Sequence, residues 1–305
     1  MNVTYKQLSY FIALAKMRNF GRAAAQVHVT QPALSTQIKE LEARLGAKLV
    51  ERQPRDVILT PVGQEVLRHA KIMQSQMRDL QDSVRLRGGL AAPVSLGVIP
   101  TVAPYLLPAA LPMLRAQNIG LDLRVRESRT ERLLQALAEG QLDAAVIALP
   151  SGVPSLIELS LFEDRFLLAG SKAQIGALQS APDHVRPATL DPDSLLLLEE
   201  GHCLSEQALE VCALQRSETR VDLSASSLST LCRLAGEGFG LTFLPEIALS
   251  HEQKAVPEMA LMRFPEPQPA RVIGLVRRKS STGGKWFDDL GSTLAQAGQA
   301  LLGAN

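Results

Sequence analysis

The sequence predicts an α/β protein in two parts. A small winged helix-turn-helix leads through a long helix into a larger α/β region with a mostly parallel sheet. Three observations predict this. Over the first 60 residues apolar side chains recur at helical spacing, with caps and a tight turn between helices. Charge is split unevenly: residues 1–88 hold 14 Lys and Arg against 7 Asp and Glu, net +7, and the remainder holds 18 against 24, net −6. From Pro93 onward short apolar runs alternate with helical patterns, as in strands joined by helices. A basic module on an acidic partner points to polyanion binding joined to a second task.

The chain has 305 residues, enough for two or three domains, and its 46% hydrophobic and 21% charged content is ordinary for a globular protein. No run approaches the roughly 18 apolar residues of a membrane span. The opening MNVTYKQLSY has no apolar core of signal-peptide type. With three cysteines, the expectation is a cytoplasmic protein without membrane contact, in which any disulfide is transient.

Residues 5–17 place Leu8, Phe11, Ile12 and Ala15 on one helical face, and Arg22 to Val27 makes a second, shorter helix. Val29-Thr30 is the turn. Thr30 is the expected N-cap of a third helix, Gln31 to Leu45, with Pro32 in its first turn and Gly46 as its stop. Leu34, Ile38, Leu41 and Leu45 form the inner stripe of that helix. Gln31, Ser35, Thr36, Gln37 and Lys39 are left for an outer face, and these types suit base edges and phosphates. Leu49 to Thr60, carrying Arg52 and Arg55, reads as a two-stranded wing. Pro61 starts a long helix to about Arg87, on which Val66, Ala70, Met73, Met77, Leu80 and Val84 alternate four and three apart. That is an a/d seam, expected at a dimer contact. Gly88-Gly89 breaks the helix and is expected to be a hinge.

Beyond Pro93 the strand candidates are Val94–Ile99, Leu121–Glu127, Asp143–Leu149, Phe166–Ala169, Leu195–Leu198, Arg220–Leu223, Leu241–Leu244 and Arg271–Arg277. Helices are expected at Pro104–Arg115, Thr130–Glu139, Ser205–Leu214, Ser227–Ala235 and Trp286–Leu302. Ligands in such folds sit at the carboxyl ends of strands. Thr101, Thr130 and His202-Cys203 each follow a strand, so three polar turns are expected to converge at one cleft.

The stretch LLLLEEGHCLSEQALEVC (195–212) carries the chemistry. Its strand-to-helix turn puts Cys203 at a helix N-terminus, whose partial positive charge favours a thiolate. Cys212 lies nine residues on. Nine helical residues rise about 13 Å and turn through half a revolution, whereas a disulfide needs Cα atoms within about 7 Å. The two cannot pair while the helix is intact. On spacing alone, two unrelated cysteines is the stronger of two readings, and a redox switch that remodels the helix is the other. Cys232, in SSLSTLCRLAGEG, falls on an apolar helix side and is expected in the core.

The segment NFGRAAAQVHVTQPALSTQIKELEARLGAKLVER (19–52) resembles the DNA-binding domain of the LysR-type transcriptional regulators. Further on, GVIPTVAPYLLP (97–108), GHCLSEQALEVC (201–212), GFGLTFLP (238–245) and RVIGLVRR (271–278) resemble the hydrogen-peroxide-sensing members of that family. The resemblance implies a winged helix-turn-helix over 1–60, a dimerising linker helix and hinge over 61–89, and a regulatory domain over 90–305 similar to periplasmic binding proteins. That domain would have two α/β subdomains, the first approximately 90–163 with 268–305 and the second approximately 164–267.

The resemblance also implies roles, and it favours the redox switch. Cys203 matches the peroxide-reacting cysteine and Cys212 the resolving one. Thr101, Thr130, His202 and Arg271 match residues around the peroxide. Glu206 stands where some relatives have Asp, a carboxylate lengthened by one methylene. Gln31, Pro32, Ser35 and Thr36 match DNA contacts, with Thr36 where a larger residue such as Arg is common. Lys39, Arg52 and Arg55 join them on charge. The implied protein is a peroxide-sensing regulator of promoter DNA, a dimer assembling to a tetramer and working with RNA polymerase, without cofactor or metal and without enzymatic turnover. Two other readings compete: a regulator answering a small organic effector in the same cleft, and a thiol peroxidase. The cysteine pair speaks against the first and the basic winged domain against the second.

Overall fold

The computed structural model describes residues 3–53, 56–87, 94–116, 123–180, 185–218, 225–281 and 284–303. The chain divides into two compact units, residues 1–90 with 138–141 and the remainder. Gly88-Gly89, Arg55 and the expected strand Arg220–Leu223 lie outside the described residues, as do Leu121 and the side chain of Arg52.

In the first unit α1 (Tyr5–Met17) opens with a capping box. The Thr4 hydroxyl accepts from the Gln7 amide, and the Gln7 side chain accepts in return from the Thr4 amide. Asn19 caps α2 (Phe20–Gln26) and Thr30 caps α3 (Gln31–Leu45), with Pro32 in the first turn as expected. Gly46 ends α3 at φ 71°, a left-handed position that suits glycine. The wing pairs β1 (Val50–Arg52) antiparallel with β2 (Val57–Leu59). Phe11, Leu14, Leu34, Ile38, Leu41 and Leu49 close the core. Leu45, expected on the inner stripe, is only half-buried, and Glu42 is buried beside it. Its carboxylate accepts from the amides of Leu49 at 2.9 Å and Val50 at 3.3 Å and from Lys48 Nζ at 3.0 Å. A glutamate thus ties the third helix to the wing.

The long helix α4 (Pro61–Arg87) divides its expected seam. Ala70 is buried in the core of this unit and Val66 packs against it. Met73, Met77 and Leu80 are exposed. The first two seam positions are therefore core and the next three face outward; the side chain of Val84, the last, lies outside the described residues.

The second unit is built on a seven-stranded sheet. The elements in order are β3 (Val94–Val98), α5 (Ala103–Ala116), β4 (Leu123–Glu127), α6 (Thr130–Ala138), β5 (Ala144–Leu149), β6 (Leu156–Ser171), α7 (Lys172–Gln179), α8 (Cys203–Val211), α9 (Leu228–Gly236), β7 (Thr242–Pro245), α10 (Leu249–Ala255), β8 (Met259–Arg263), β9 (Ala270–Arg278) and α11 (Lys285–Gly303). The sheet order is β4-β3-β5-β9-β6-β7, with β8 also on β6.

The mostly parallel sheet expected from the sequence is not what forms. Only β4, β3 and β5 run parallel; β9 is antiparallel to both β5 and β6, and β6 is antiparallel to β7 and β8. The cause is β6, 16 residues long where four were expected. Its first ten residues, Leu156–Arg165, pair with β9, and from Phe166 to Ser171 it pairs with β7 and β8. One strand thus serves both halves of the unit. Leu195–Leu198, expected as a strand, is extended and buried but is held by single bridges, Leu195 to Leu241 and Leu198 to Ala225.

Candidate functional site

On the first unit, Gln31, Pro32, Thr36 and Lys39 are exposed along α3, and Ser35 is half-buried at the edge of that face. Gln37, also expected outward, is half-buried and donates to Glu40 at 3.1 Å. The exposed face begins at the N-terminal turn of α3, whose partial positive charge suits a phosphate that docks there.

In the second unit α8 begins at Cys203, two residues earlier than expected, with His202 as N-cap. Gly201, at φ 85°, makes the turn into the helix. Cys203 is half-buried in the first turn, Cys212 is buried at the C-cap, and Cys232 is fully buried; all three are free thiols. Helical rise alone separates Cys203 from Cys212 by about 13 Å. Burial pushes the Cys212 thiol up to about 11. Burial, and then the Glu252 carboxylate, raises that of Cys232 as well. A buried, protonated thiol is a poor nucleophile, so Cys203 is the cysteine best placed to react.

Thr101 follows β3 and is buried. Its hydroxyl accepts from Arg271 Nη1 at 2.9 Å and its carbonyl from Nη2 at 3.4 Å. Arg271, on β9, is buried too. It pairs with Asp164 on β6, Nε at 3.0 Å and Nη2 at 2.9 Å from one carboxylate oxygen, and lies over the Phe166 ring. The other Asp164 oxygen accepts from the Ile247 amide at 3.0 Å. Burial pushes the Asp164 carboxyl above its ordinary value, while Arg271 and the Ile247 amide draw it back. The charge on Arg271 is thus held by Asp164 and delivered to Thr101.

Thr101 and His202 line one open cavity of ≈ 90 Å³, with Tyr105, Glu127, Leu198 and Ser229 among its walls. That is well below the volume of a drug-sized ligand pocket. His202 is buried; burial, then the Arg129 charge, lowers its pKa against the opposing pull of Glu199. The ring is therefore neutral at neutral pH, with one N–H to donate. Thr130 opens α6, and its buried hydroxyl has no hydrogen-bond partner. The buried Gln207 Oε1, one turn after Cys203, has none either. Unsatisfied buried polar atoms invite a small polar guest. Glu206 is exposed on the outer side of α8 and is not among the cavity residues; its charge in the first turn suits the helix dipole.

Three polar contacts were not read from the sequence. One is Asp164. Another is Arg129, which donates to the Glu199 carboxylate at 2.8 Å and the Glu200 carbonyl at 2.7 Å, beside the Cys203 turn. The third is Glu252, which accepts from Tyr105 at 2.6 Å and Ser229 at 2.7 Å and so joins α10 to α5 and α9. Burial, and then Glu252, raises the Tyr105 pKa. In IELSLFEDRF the apolar residues Ile157, Leu159 and Leu161 alternate as in a strand, which by itself puts Asp164 on the polar side; the register shift between Ser160 and Phe162 turns it inward.

Residues 5–64 match the family described as bacterial regulatory helix-turn-helix protein, lysR family, and residues 87–297 match the LysR substrate binding domain. The chain is 37% identical over 282 residues to the DNA-binding transcriptional dual regulator OxyR of Escherichia coli, covering 92% of this chain and 90% of that one. It is 37% identical over 294 residues to a probable hydrogen peroxide-inducible genes activator of Streptomyces viridosporus, covering 95% and 93%. Among solved structures it resembles a full-length OxyR variant from Pseudomonas aeruginosa, with a TM-score of 0.72 and 31% identity over 97% of each chain. A hydrogen-peroxide-bound OxyR cysteine variant from Corynebacterium glutamicum gives 0.62 and 32%, covering 100% of this chain and 97% of that one.

Proposed function

The chain belongs to the LysR family of bacterial helix-turn-helix regulators, and from that premise we propose that it is a hydrogen-peroxide-responsive transcriptional regulator. Its partners are double-stranded promoter DNA, peroxide, further copies of itself as a dimer and then a tetramer, and RNA polymerase; its place is the cytoplasm. The observation that carries this reading is the cysteine arrangement. The one half-buried thiol begins α8, its partner is buried at the far end, and the turn before it shares a cavity with Thr101.

The chemistry balances without a cofactor. The Cys203 thiolate attacks one peroxide oxygen. The O–O bond breaks, and the second oxygen leaves as hydroxide, which takes a proton to become water. Cys203 is oxidised to the sulfenic acid and the peroxide is reduced. The Thr101 and Thr130 hydroxyls orient the peroxide, and Arg271, acting through Thr101, favours the charge that develops on the leaving oxygen. The neutral His202 ring donates a hydrogen bond. The Cys212 sulfur then attacks the Cys203 sulfur; the S–S bond forms, the S–O bond breaks, and a second water leaves. The reaction runs once per oxidation and ends in a changed regulatory domain. On the DNA side Gln31, Pro32, Ser35, Thr36 and Lys39, with Arg52 and Arg55 of the wing, meet base edges and phosphates.

The test is a peptide mass map after brief peroxide exposure, with DNA footprints taken in parallel. Wild type should gain a Cys203–Cys212 disulfide and a shifted footprint. Cys212→Ser should stop at oxidised Cys203, and Cys203→Ser should stay reduced at low peroxide. Equal reactivity of Cys212 or Cys232 in the Cys203→Ser protein would sink the assignment. A disulfide with an unmoved footprint would leave the chemistry and remove the coupling.

A further inference from the structure

Arg129 stands immediately before α6, and its backbone is held on both sides. Its carbonyl accepts from the Leu133 amide at 3.1 Å, and the Ser128 amide donates to the Val98 carbonyl at the end of β3 at 3.2 Å. From this fixed base the side chain crosses to the segment that delivers Cys203. Nη1 donates to the Glu200 carbonyl at 2.7 Å and Nη2 to the Glu199 carboxylate at 2.8 Å. The side chain also stands over the glycine of the turn: a Cβ added at Gly201 would lie 3.3 Å from Arg129 Cδ and 3.5 Å from its Nη1. Within the turn the Glu199 carbonyl accepts from the His202 amide at 3.3 Å. The contact therefore sets the geometry one residue before the reacting thiol.

We propose that Arg129 is a positioning residue for the thiol reaction: its guanidinium clamps the 199–201 turn, holds Cys203 in place for the attack on peroxide, and has to release that turn before Cys203 can reach Cys212. The inference rests on the peroxide-sensing reading. Both side chains of the Arg129–Glu199 pair are more than a third exposed, at 39% and 43%, so the ion pair itself adds little stability. Its effect is geometric. A planar fork on two acceptors fixes orientation as well as position, which a single ammonium does not. Correct placement of a reacting group is worth large rate factors. The same clamp opposes the second step, because α8 has to unwind at the end the clamp grips.

The test separates the two steps in the full-length protein. In a Cys212→Ser background, Arg129→Ala should slow formation of the Cys203 sulfenic acid about tenfold. With Cys212 present, the same substitution should speed closure of the disulfide from the sulfenic acid. Reduced Arg129→Ala protein should show faster hydrogen exchange over residues 202–206, a measurement independent of any oxidation. Arg129→Lys, which keeps the charge and loses the fork, should behave like the alanine variant. Unchanged rates in Arg129→Ala, both steps slowed together, or wild-type behaviour in Arg129→Lys would each overturn the clamp. If wild-type Cys203 does not oxidise at all, the peroxide reading fails, while the exchange comparison still decides whether Arg129 holds the turn.

Discussion

At the scale of single residues the decisive pair is Asp164 with Arg271. Neither is accessible to water, and the two pair directly, Arg271 Nη2 at 2.9 Å and Nε at 3.0 Å from the carboxylate. Removing one member of such a pair leaves an uncompensated buried charge, which costs about 3–5 kcal/mol. Asp164→Asn should therefore destabilise the second unit by that order in urea unfolding, and should slow Cys203 oxidation because Arg271 no longer holds the Thr101 hydroxyl. A variant of wild-type stability would mean that Arg271 is satisfied without the carboxylate. Cys203, Cys212, Thr101 and Arg271 could be named as candidates from the sequence because family motifs mark them, and the Thr101–Arg271 contact brings two of them together. Asp164 was not, since it lies 107 residues from its partner and an acid in an alternating strand reads as surface. Arg129 was hidden for the same reason: nothing local relates residue 129 to residues 199 and 200.

At the scale of elements, caps and turns were the most readable features. Thr30, Pro32 and Gly46 bound α3 as local rules require. The sheet was misread because strand direction depends on long-range pairing, and the β6–β9 ladder joins Leu156 to Arg278. Glu42 shows what a long-range polar contact does for an element. Burial alone would raise its carboxyl, but the Leu49 and Val50 amides and Lys48 outweigh burial and hold it below the ordinary value. A lowered folded pKa means that the charged form is the stabilising one. Its contribution is whole above the unfolded carboxylate pKa, and it is lost as pH falls through the lower folded value. Glu42→Gln should cost about 2 kcal/mol at pH 7, and the gap from wild type should close as pH drops below the carboxylate range. Hydrogen exchange of the Leu49 and Val50 amides measures this, and a gap independent of pH would exclude the charge as its cause.

At the scale of the molecule, α4 carries the surface left over when the first unit has closed its own core. Met73, Met77 and Leu80 remain exposed on a helix whose Val66 and Ala70 are already used. Three large apolar groups at seam spacing fit a second copy of the same helix. Met77→Lys should shift sedimentation toward the monomer and weaken DNA binding in step, since two half-sites are then read separately. An unchanged sedimentation coefficient would place the dimer contact elsewhere.

The burial of Cys212 gives the proposed device a sense of time. A thiol with a pKa of about 11 is ionised in about one molecule in ten thousand at pH 7. In the proposed reaction the oxidant then sets how often Cys203 is struck, and the protein's own opening sets how long the mark waits before the disulfide closes. Detection and closure would run on separate clocks.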